Sequence, residues 1–388
     1  FLLGDQNGLL GVSVESPGDG VPIEVTIECP PFATSSRYVG RLSSQGAVYS
    51  IFPKMNYDFA ALSKCQQATP VNGLFRVRVG DGPICEKSVT MIVRPVNDCP
   101  LKVQVGEQVH DQSFTFAAFV NEQHPFTDKL LREALDIGVV GQFDGYQGKS
   151  PEAVIKQVYA IWDLLVARDV RYSNITGTAG ESELILSQNV RLLEDTINNQ
   201  QANCVDGSVL LVSLLRKIEI ESFLILVPGH CYVGFYLDSE RTTVLAIETT
   251  LLGASADEPE TISEILESSV EEDLRDDYSW ASFVTALEAG TANWLESQEK
   301  FADATELSYR LIDIGAARKI GILPLPFQGQ SEFVAFDHSE YSRYSDAAED
   351  EEDDTEMSDE EDEDGDADEE TGDEEWTEED DSEEVTEE

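Results

Sequence analysis

The stretch Gln200-Gln201-Ala202-Asn203-Cys204-Val205-Asp206-Gly207-Ser208-Val209-Leu210-Leu211 decides how this chain is read. Polar residues give way here to an apolar run. Asn203 is a strong N-cap, because its short side chain can accept from the backbone N–H groups that a helix leaves unpaired. Asp206, three positions on, suits the positive end of the same helix. The pattern predicts a helix from Asn203 to about Lys217, with Cys204 in its first turn. Orphan N–H groups and the helix dipole favour a thiolate there. Taken alone, such a cysteine reads more readily as a buried structural thiol.

Three extended segments follow: Ser222–Val227, Cys231–Leu237 and Thr243–Thr249. His230 comes after Pro228-Gly229 and opens the middle one. A period of two puts His230, Tyr232, Gly234 and Tyr236 on one face. Cys231, Val233, Phe235 and Leu237 then form a core face, so Cys231 reads as packing and not as a rival nucleophile. In the next segment, Val244, Ala246 and Glu248 share a face. A hairpin turning at Asp238-Ser239-Glu240, with an odd loop, sets position 230 opposite Glu248; an even loop would bring Thr249 there. Glu248 could then accept from the His230 ring and fix its tautomer. By itself Glu248 is an ordinary polar strand end; the three residues together are far more specific.

Cys204-Val205-Asp206-Gly207-Ser208, the helix end Leu214-Leu215-Arg216, the strand Phe223–Val227, then Pro228-Gly229-His230 and Ile247-Glu248-Thr249 resemble the core of the transglutaminase-like superfamily. A bacterial member is the expectation. The match is direct from Cys204 to Thr249 and architectural over 107–335. The resemblance implies an α+β, papain-type fold and nucleophilic acyl chemistry. In it Cys204 attacks an amide carbonyl, His230 moves the proton and Glu248 orients His230. The resemblance also implies an oxyanion site made by the Cys204 N–H and one side-chain donor, for which Gln201 is the first choice and Gln200 and Asn198 are alternatives. Two positions depart from the family pattern: Glu248 stands where Asp is usual, and Ala202 where glycine is common.

Outward from this centre, residues 1–106 read as a small β-sandwich. Segments such as Val21–Glu28, Leu74–Val79 and Val89–Val93 alternate apolar and polar residues between Gly-, Pro-, Asn- and Asp-rich turns. Residues 107–335 read as the site-bearing domain. Helices are expected over Pro125–Asp136, Pro151–Ala167 and Ser187–Asn198, then over Thr261–Ser268, Ser279–Ala289 and Ala302–Ile314. The order of helices, then a block of strands, is an α+β pattern. Residues 336–388 read as a disordered acidic tail, because like charges repel and little is apolar.

The chain has 388 residues and a formal net charge of −52. Of its 77 acidic residues, 29 lie between Asp346 and Glu388, where there is no Lys or Arg; before that, 48 face 25 basic residues. This balance argues against a nucleic-acid partner, which calls for basic patches. No apolar run approaches the roughly 20 residues that span a bilayer. Four of the six cysteines (Cys29, Cys65, Cys85, Cys99) lie in the first hundred positions and suit a disulfide framework. With a first residue that is not Met, this favours a secreted, periplasmic or cell-envelope protein over a cytoplasmic one. Gly141–Gly148 lacks the Lys-Ser/Thr of a phosphate loop, and His110 and His124 have no metal-ligand spacing. No cofactor or metal is expected. Three functions fit: a cysteine peptidase or amidase acting on a protein or peptide, a cross-linking transglutaminase, and a binding or scaffold module that kept the fold without turnover.

Overall fold

A computed structural model describes residues 1–174, 182–256, 262–303, 305–327, 329, 331–337 and 341. The expectation of a disordered tail over 336–388 falls almost wholly outside these residues. The architecture is α+β: several small sheets whose strand pairs are mostly antiparallel, with Leu2–Gly4 and Val48–Phe52, and Arg171–Tyr172 and Gln201–Ala202, paired in parallel, and helices packed beside them.

The first part of the chain is β-rich. A five-stranded sheet runs Asn56–Tyr57, Ala33–Leu42, Val21–Cys29, Thr69–Val79, Cys85–Val93. Along Val21–Cys29 the alternating Ile23, Val25, Ile27 and Cys29 are buried. A three-stranded sheet of Leu2–Gly4, Val48–Phe52 and Val12–Glu15 adds Tyr49 and Ile51 to the same apolar cluster. The predicted boundary at 106 falls in the turn between strands Asp98–Val105 and Gln108–Asp111. Strand Asp98–Val105 also pairs with Ile185–Asn189, far along the chain.

The disulfide expectation is overturned: all six cysteines are free. Cys29 and Cys65 lie buried in the first cluster, Cys85 is exposed, and Cys99 belongs to the larger core beside Thr115. The four thiols are divided between two cores and a surface.

The larger core surrounds the helix Cys204–Lys217. Every residue from Val205 to Leu215 is buried, so this helix is wrapped on all sides, not amphipathic. It packs against a four-stranded antiparallel sheet ordered Val244–Ile247, His230–Tyr236, Ser222–Val227, Arg310–Asp313. Cys231, Val233, Phe235 and Leu237 join the helix in this core. Tyr232, Phe223, Ile225 and Ala246 form a separate cluster with Trp294 and Phe301. Two segments differ from expectation. Ser187–Asn198 is not one helix: Ile185–Asn189 is a strand, and the helix is Leu193–Asn199. Within the predicted helix 302–314, Arg310–Asp313 is a strand, because its alternation, with Ile312 buried, fits the open side of Ser222–Val227.

The Cys204 helix ends sharply. Ile220 N–H donates to Leu215 O at 2.9 Å and Glu219 N–H to Arg216 O at 3.1 Å. This is a Schellman cap, with Glu219 at φ +63° in the position that usually holds glycine.

Candidate active site

Asn203 caps the helix as expected. Its side-chain oxygen accepts from Val205 N–H at 2.8 Å and Asp206 N–H at 2.9 Å. Asp206 returns the bond to Asn203 N–H at 3.1 Å. The Asp206 carboxylate is completely buried and also takes Arg191, through its backbone N–H at 2.8 Å and its guanidinium at 3.0 Å. Burial pushes the Asp206 carboxyl up, against the bonds from Asn203 and Arg191. The first turn, and Cys204 with it, is thereby fixed in place.

A second set of contacts ties that turn to the sheet. Ser208 Oγ donates to Cys204 O at 2.6 Å and lies 3.1 Å from Thr249 Oγ1. Thr249 Oγ1 reaches Cys204 O at 3.3 Å. Gly207 allows this approach, since a Cβ there would sit 3.2 Å from Thr249 Cβ. The Cys204 turn and the segment after Glu248 therefore move as one piece.

His230 leaves the Pro228-Gly229 turn, where Gly229 has φ +72°, the left-handed value that a Pro-Gly type II turn needs. Its Nε2 lies 2.5 Å from Glu248 Oε2. The His230 ring stacks on Tyr232 with centroids 5.9 Å apart. The adjacent Cys204 sulfur and, after it, the Glu248 carboxylate push His230 up to about 10. Glu248 is almost wholly buried, with 8% of its side chain exposed. Burial opposes its charge, but His230 and Thr250 outweigh this and hold its carboxyl below the ordinary value. Its second oxygen accepts from Thr250 N–H at 3.0 Å and Thr250 Oγ1 at 2.7 Å.

The structure thus brings Cys204, His230 and Glu248 together, with one correction of register. Val233 pairs with Ile247 and Tyr236 with Val244. Extended, that ladder sets Tyr232, not His230, level with Glu248. The odd loop and both faces are as expected, but the hairpin turns over Asp238–Thr242 and is offset by two residues. Glu248 therefore reaches His230 diagonally, a span that suits a side chain one methylene longer than Asp. Cys231 is buried in the core, and desolvation drives its thiol well above the ordinary value.

Cys204 and His230 open on a cleft of about 340 Å³, whose apolar wall includes Phe116 and Leu226. Leu307, Ser308 and Arg310 line its side, and Cys204 stays partly exposed. The three amide donors considered from sequence lie elsewhere. Gln201 is exposed on the short strand Gln201–Ala202 and does not line the cleft. Asn198 bonds Glu332 and Val334, and Gln200 bonds Arg168 O. Gln188 does line the cleft. Its Nε2 gives one proton to Asn189 O at 3.0 Å and keeps a second. The sequence reading missed Gln188 because it placed this segment in a helix; alternation over Ile185–Asn189 was the signal available. His124, given no role from sequence, caps helix Pro125–Ile137 through Nδ1 and meets Glu194 through Nε2 at 3.1 Å. Among the described residues no group of three or more His, Cys, Asp or Glu could hold a metal ion. No helix among them is long and apolar enough to cross a membrane.

No protein-family model matches this chain, and no curated protein matches it. A solved structure of a provisionally named cysteine protease from Cytophaga hutchinsonii overlaps 63% of this chain and 80% of its own, at 12% identity and a TM-score of 0.23. Overlap at that level does not establish a common fold. The chemistry follows from this chain's own residues.

Proposed function

We propose that this chain is a thiol-dependent acyl-transfer enzyme, a cysteine peptidase or amidase on a transglutaminase-like, papain-type scaffold. The observation that carries this reading is the His230 ring held between Cys204 and Glu248 on the wall of an open cleft. The Cys204 sulfur attacks an amide carbonyl, forming a C–S bond and moving the carbonyl electron pair onto oxygen. His230, charged at neutral pH, gives its proton to the leaving nitrogen as the C–N bond breaks. A thioester remains. Water then attacks it, His230 takes the water's proton, and the C–S bond breaks with its electron pair returning to sulfur, so that the acid departs and Cys204 stands again beside a charged His230. Glu248 keeps the imidazole oriented and its charge compensated. The Cys204 N–H at the helix start and the free Gln188 proton are the oxyanion donors in this reading. Gln188 is preferred to Gln201 because it borders the cleft. The division into a β module over 1–106, a site-bearing domain over 107–335 and a tail over 336–388 belongs to the same proposal, with Leu101 and Lys102 of the first part contributing to the cleft.

The test is the rate of iodoacetamide labelling at neutral pH, mapped by mass spectrometry. Cys204 is expected to label well ahead of a model thiol. A rate no faster than the model thiol would sink the proposal and favour a silent scaffold. A fluorescent amine supplied with a Gln-rich protein reports the acyl acceptor: incorporation that depends on Cys204 assigns cross-linking, and its absence alongside peptide cleavage assigns hydrolysis.

A further inference from the structure

The cleft beside Cys204 has a second wall, and it carries a lysine. That wall is the sheet of Gln108–Asp111, Asp98–Val105 and Ile185–Asn189. Across it Asp111 pairs with Lys102, and Lys102 with Leu186, so the three stand in one row. All three line the cleft. Asp111 is already satisfied. One oxygen accepts from Ser113 N–H at 2.9 Å and the other from Arg310 Nε at 2.6 Å. These bonds overcome burial and hold its carboxyl below the ordinary value. Arg310 is equally committed, donating to Glu306 O and Tyr309 O at 2.7 and 2.8 Å as well. Lys102 remains. It is half-buried, and it has no ion-pair partner among the described residues.

Lys102 thus lines the cleft opposite an Asp111 that Ser113 and Arg310 already hold, and no carboxylate among the described residues bonds its side chain. It sits where a ligand would supply the missing anion. The apolar side chains of Phe116, Leu226 and Val205 lie in the same cleft. A bound chain would therefore place an apolar segment near Cys204 and a negative group at Lys102. Resting on the acyl-transfer reading above, we infer that the substrate is an acidic peptide or amide, whose carboxylate pairs with Lys102 while the scissile carbonyl lies at Cys204.

The test compares a charged and a neutral alkylating agent of nearly equal size. Iodoacetate carries the carboxylate and iodoacetamide does not. The charged His230 favours iodoacetate in every variant, so the informative quantity is how the ratio of the two rates changes with position 102. The ratio is expected to fall roughly threefold in Lys102→Ala, the scale of a partly exposed ion pair, to fall further in Lys102→Glu, and to recover in Lys102→Arg. Melting curves confirm that the variants are folded. Protection of Cys204 from iodoacetamide identifies the source of the carboxylate. A peptide blocked at both ends with an internal glutamate, and an N-blocked peptide with uncharged side chains and a free C-terminus, are compared with a peptide of uncharged side chains blocked at both ends. Brisk labelling by both reagents, with a ratio indifferent to all three substitutions, would overturn the inference alone. So would equal protection by all three peptides, or protection by none. Sluggish labelling by both reagents would overturn the acyl-transfer reading and this inference with it.

Discussion

The backbone N–H of Glu248 donates to the carbonyl oxygen of Ala286 at 2.9 Å. Ala286 lies in the helix Tyr278–Ser297, which runs along the open edge of strand Val244–Ile247. Thr291 Oγ1 adds two contacts, at 3.2 Å to both the N–H and the carbonyl of Ala246. A helix thus covers a strand edge that would otherwise be unpaired, and it holds the backbone of the residue that faces His230.

The approach depends on Gly290. A Cβ at this position would lie 2.6 Å from the backbone carbon and oxygen of Ala246 and 2.7 Å from Ile247 N. Those are backbone atoms and cannot swing aside. Gly290→Ala is expected to destabilise the protein by about 1–3 kcal/mol, the usual cost of overpacking, against the small gain that alanine brings to a helix. Urea unfolding measures it. Unchanged or raised stability would show that the helix can lift off the strand freely.

The pH dependence follows from the pair His230–Glu248. His230 is raised from its ordinary 6.5 to about 10, so the stability it contributes is full below 6.5 and is lost as pH rises through about 10. Glu248 is lowered, so its contribution is present above its ordinary 4.5 and is lost as pH falls through the depressed value. Amide cleavage, in which the charged imidazole protonates the leaving nitrogen, should keep its rate to near pH 10 and then decline. Glu248→Gln removes one of the two groups that hold the proton on. The decline should then move down by at least about one pH unit. An unmoved profile would show that Glu248 does not set the charge of His230.

The site was readable in the sequence where its cues are local. Asn203 and Asp206 announce a helix start, Pro228-Gly229 announces a turn before His230, and period two assigns Cys231 to the core. Period two fixes which face a strand residue takes, but not how far the paired strand has slid. That sliding is set by the loop. Asp238 accepts from the Thr242 and Thr243 N–H groups, both at 2.9 Å, and so the turn spans Asp238–Thr242 instead of the three residues expected. Gln188 and Lys102 were not readable. Each enters the cleft only because Asp98–Val105 pairs with Ile185–Asn189, a contact between segments more than eighty positions apart.

Arg191 and Asp206 offer a test of how the Cys204 turn is held. Asp206 is completely buried, and Arg191 is its charged partner at 3.0 Å. Removing one member of a buried pair leaves the other without compensation. Arg191→Ala is expected to cost about 3 kcal/mol. The loss should shrink at low pH, where a protonated Asp206 no longer needs a cation. Arg37→Ala, which breaks the exposed pair with Glu24, should change stability little. Thermal melts of both variants across pH decide it, and equal losses would mean that the Asp206 contact is not structural.

The C-terminal end of the same helix carries its own strain. Glu219 adopts φ +63°, where a side chain crowds its own backbone and glycine does not. Glu219→Gly is expected to stabilise the protein by about 1 kcal/mol, because the Schellman bonds from Ile220 and Glu219 N–H remain. A lower unfolding midpoint would show that the Glu219 side chain contributes more than its backbone costs.

The amide donor can be assigned by comparing two glutamines. Gln188 borders the cleft and has an uncommitted proton, whereas Gln201 is exposed and outside it. An oxyanion donor acts on charge that develops only in the transition state, so its loss lowers kcat and leaves KM almost unchanged. Gln188→Ala is expected to lower kcat on a cleavable peptide by about 10²-fold. The iodoacetamide rate at Cys204 should change little, because alkylation at carbon builds no oxyanion. Gln201→Ala should alter neither. The opposite pattern, kcat lost with Gln201 and kept without Gln188, would mean that the strand Gln201–Ala202 moves into the cleft when substrate binds. An equal fall in kcat and in the alkylation rate for Gln188→Ala would instead mark Gln188 as a support for the position of Cys204.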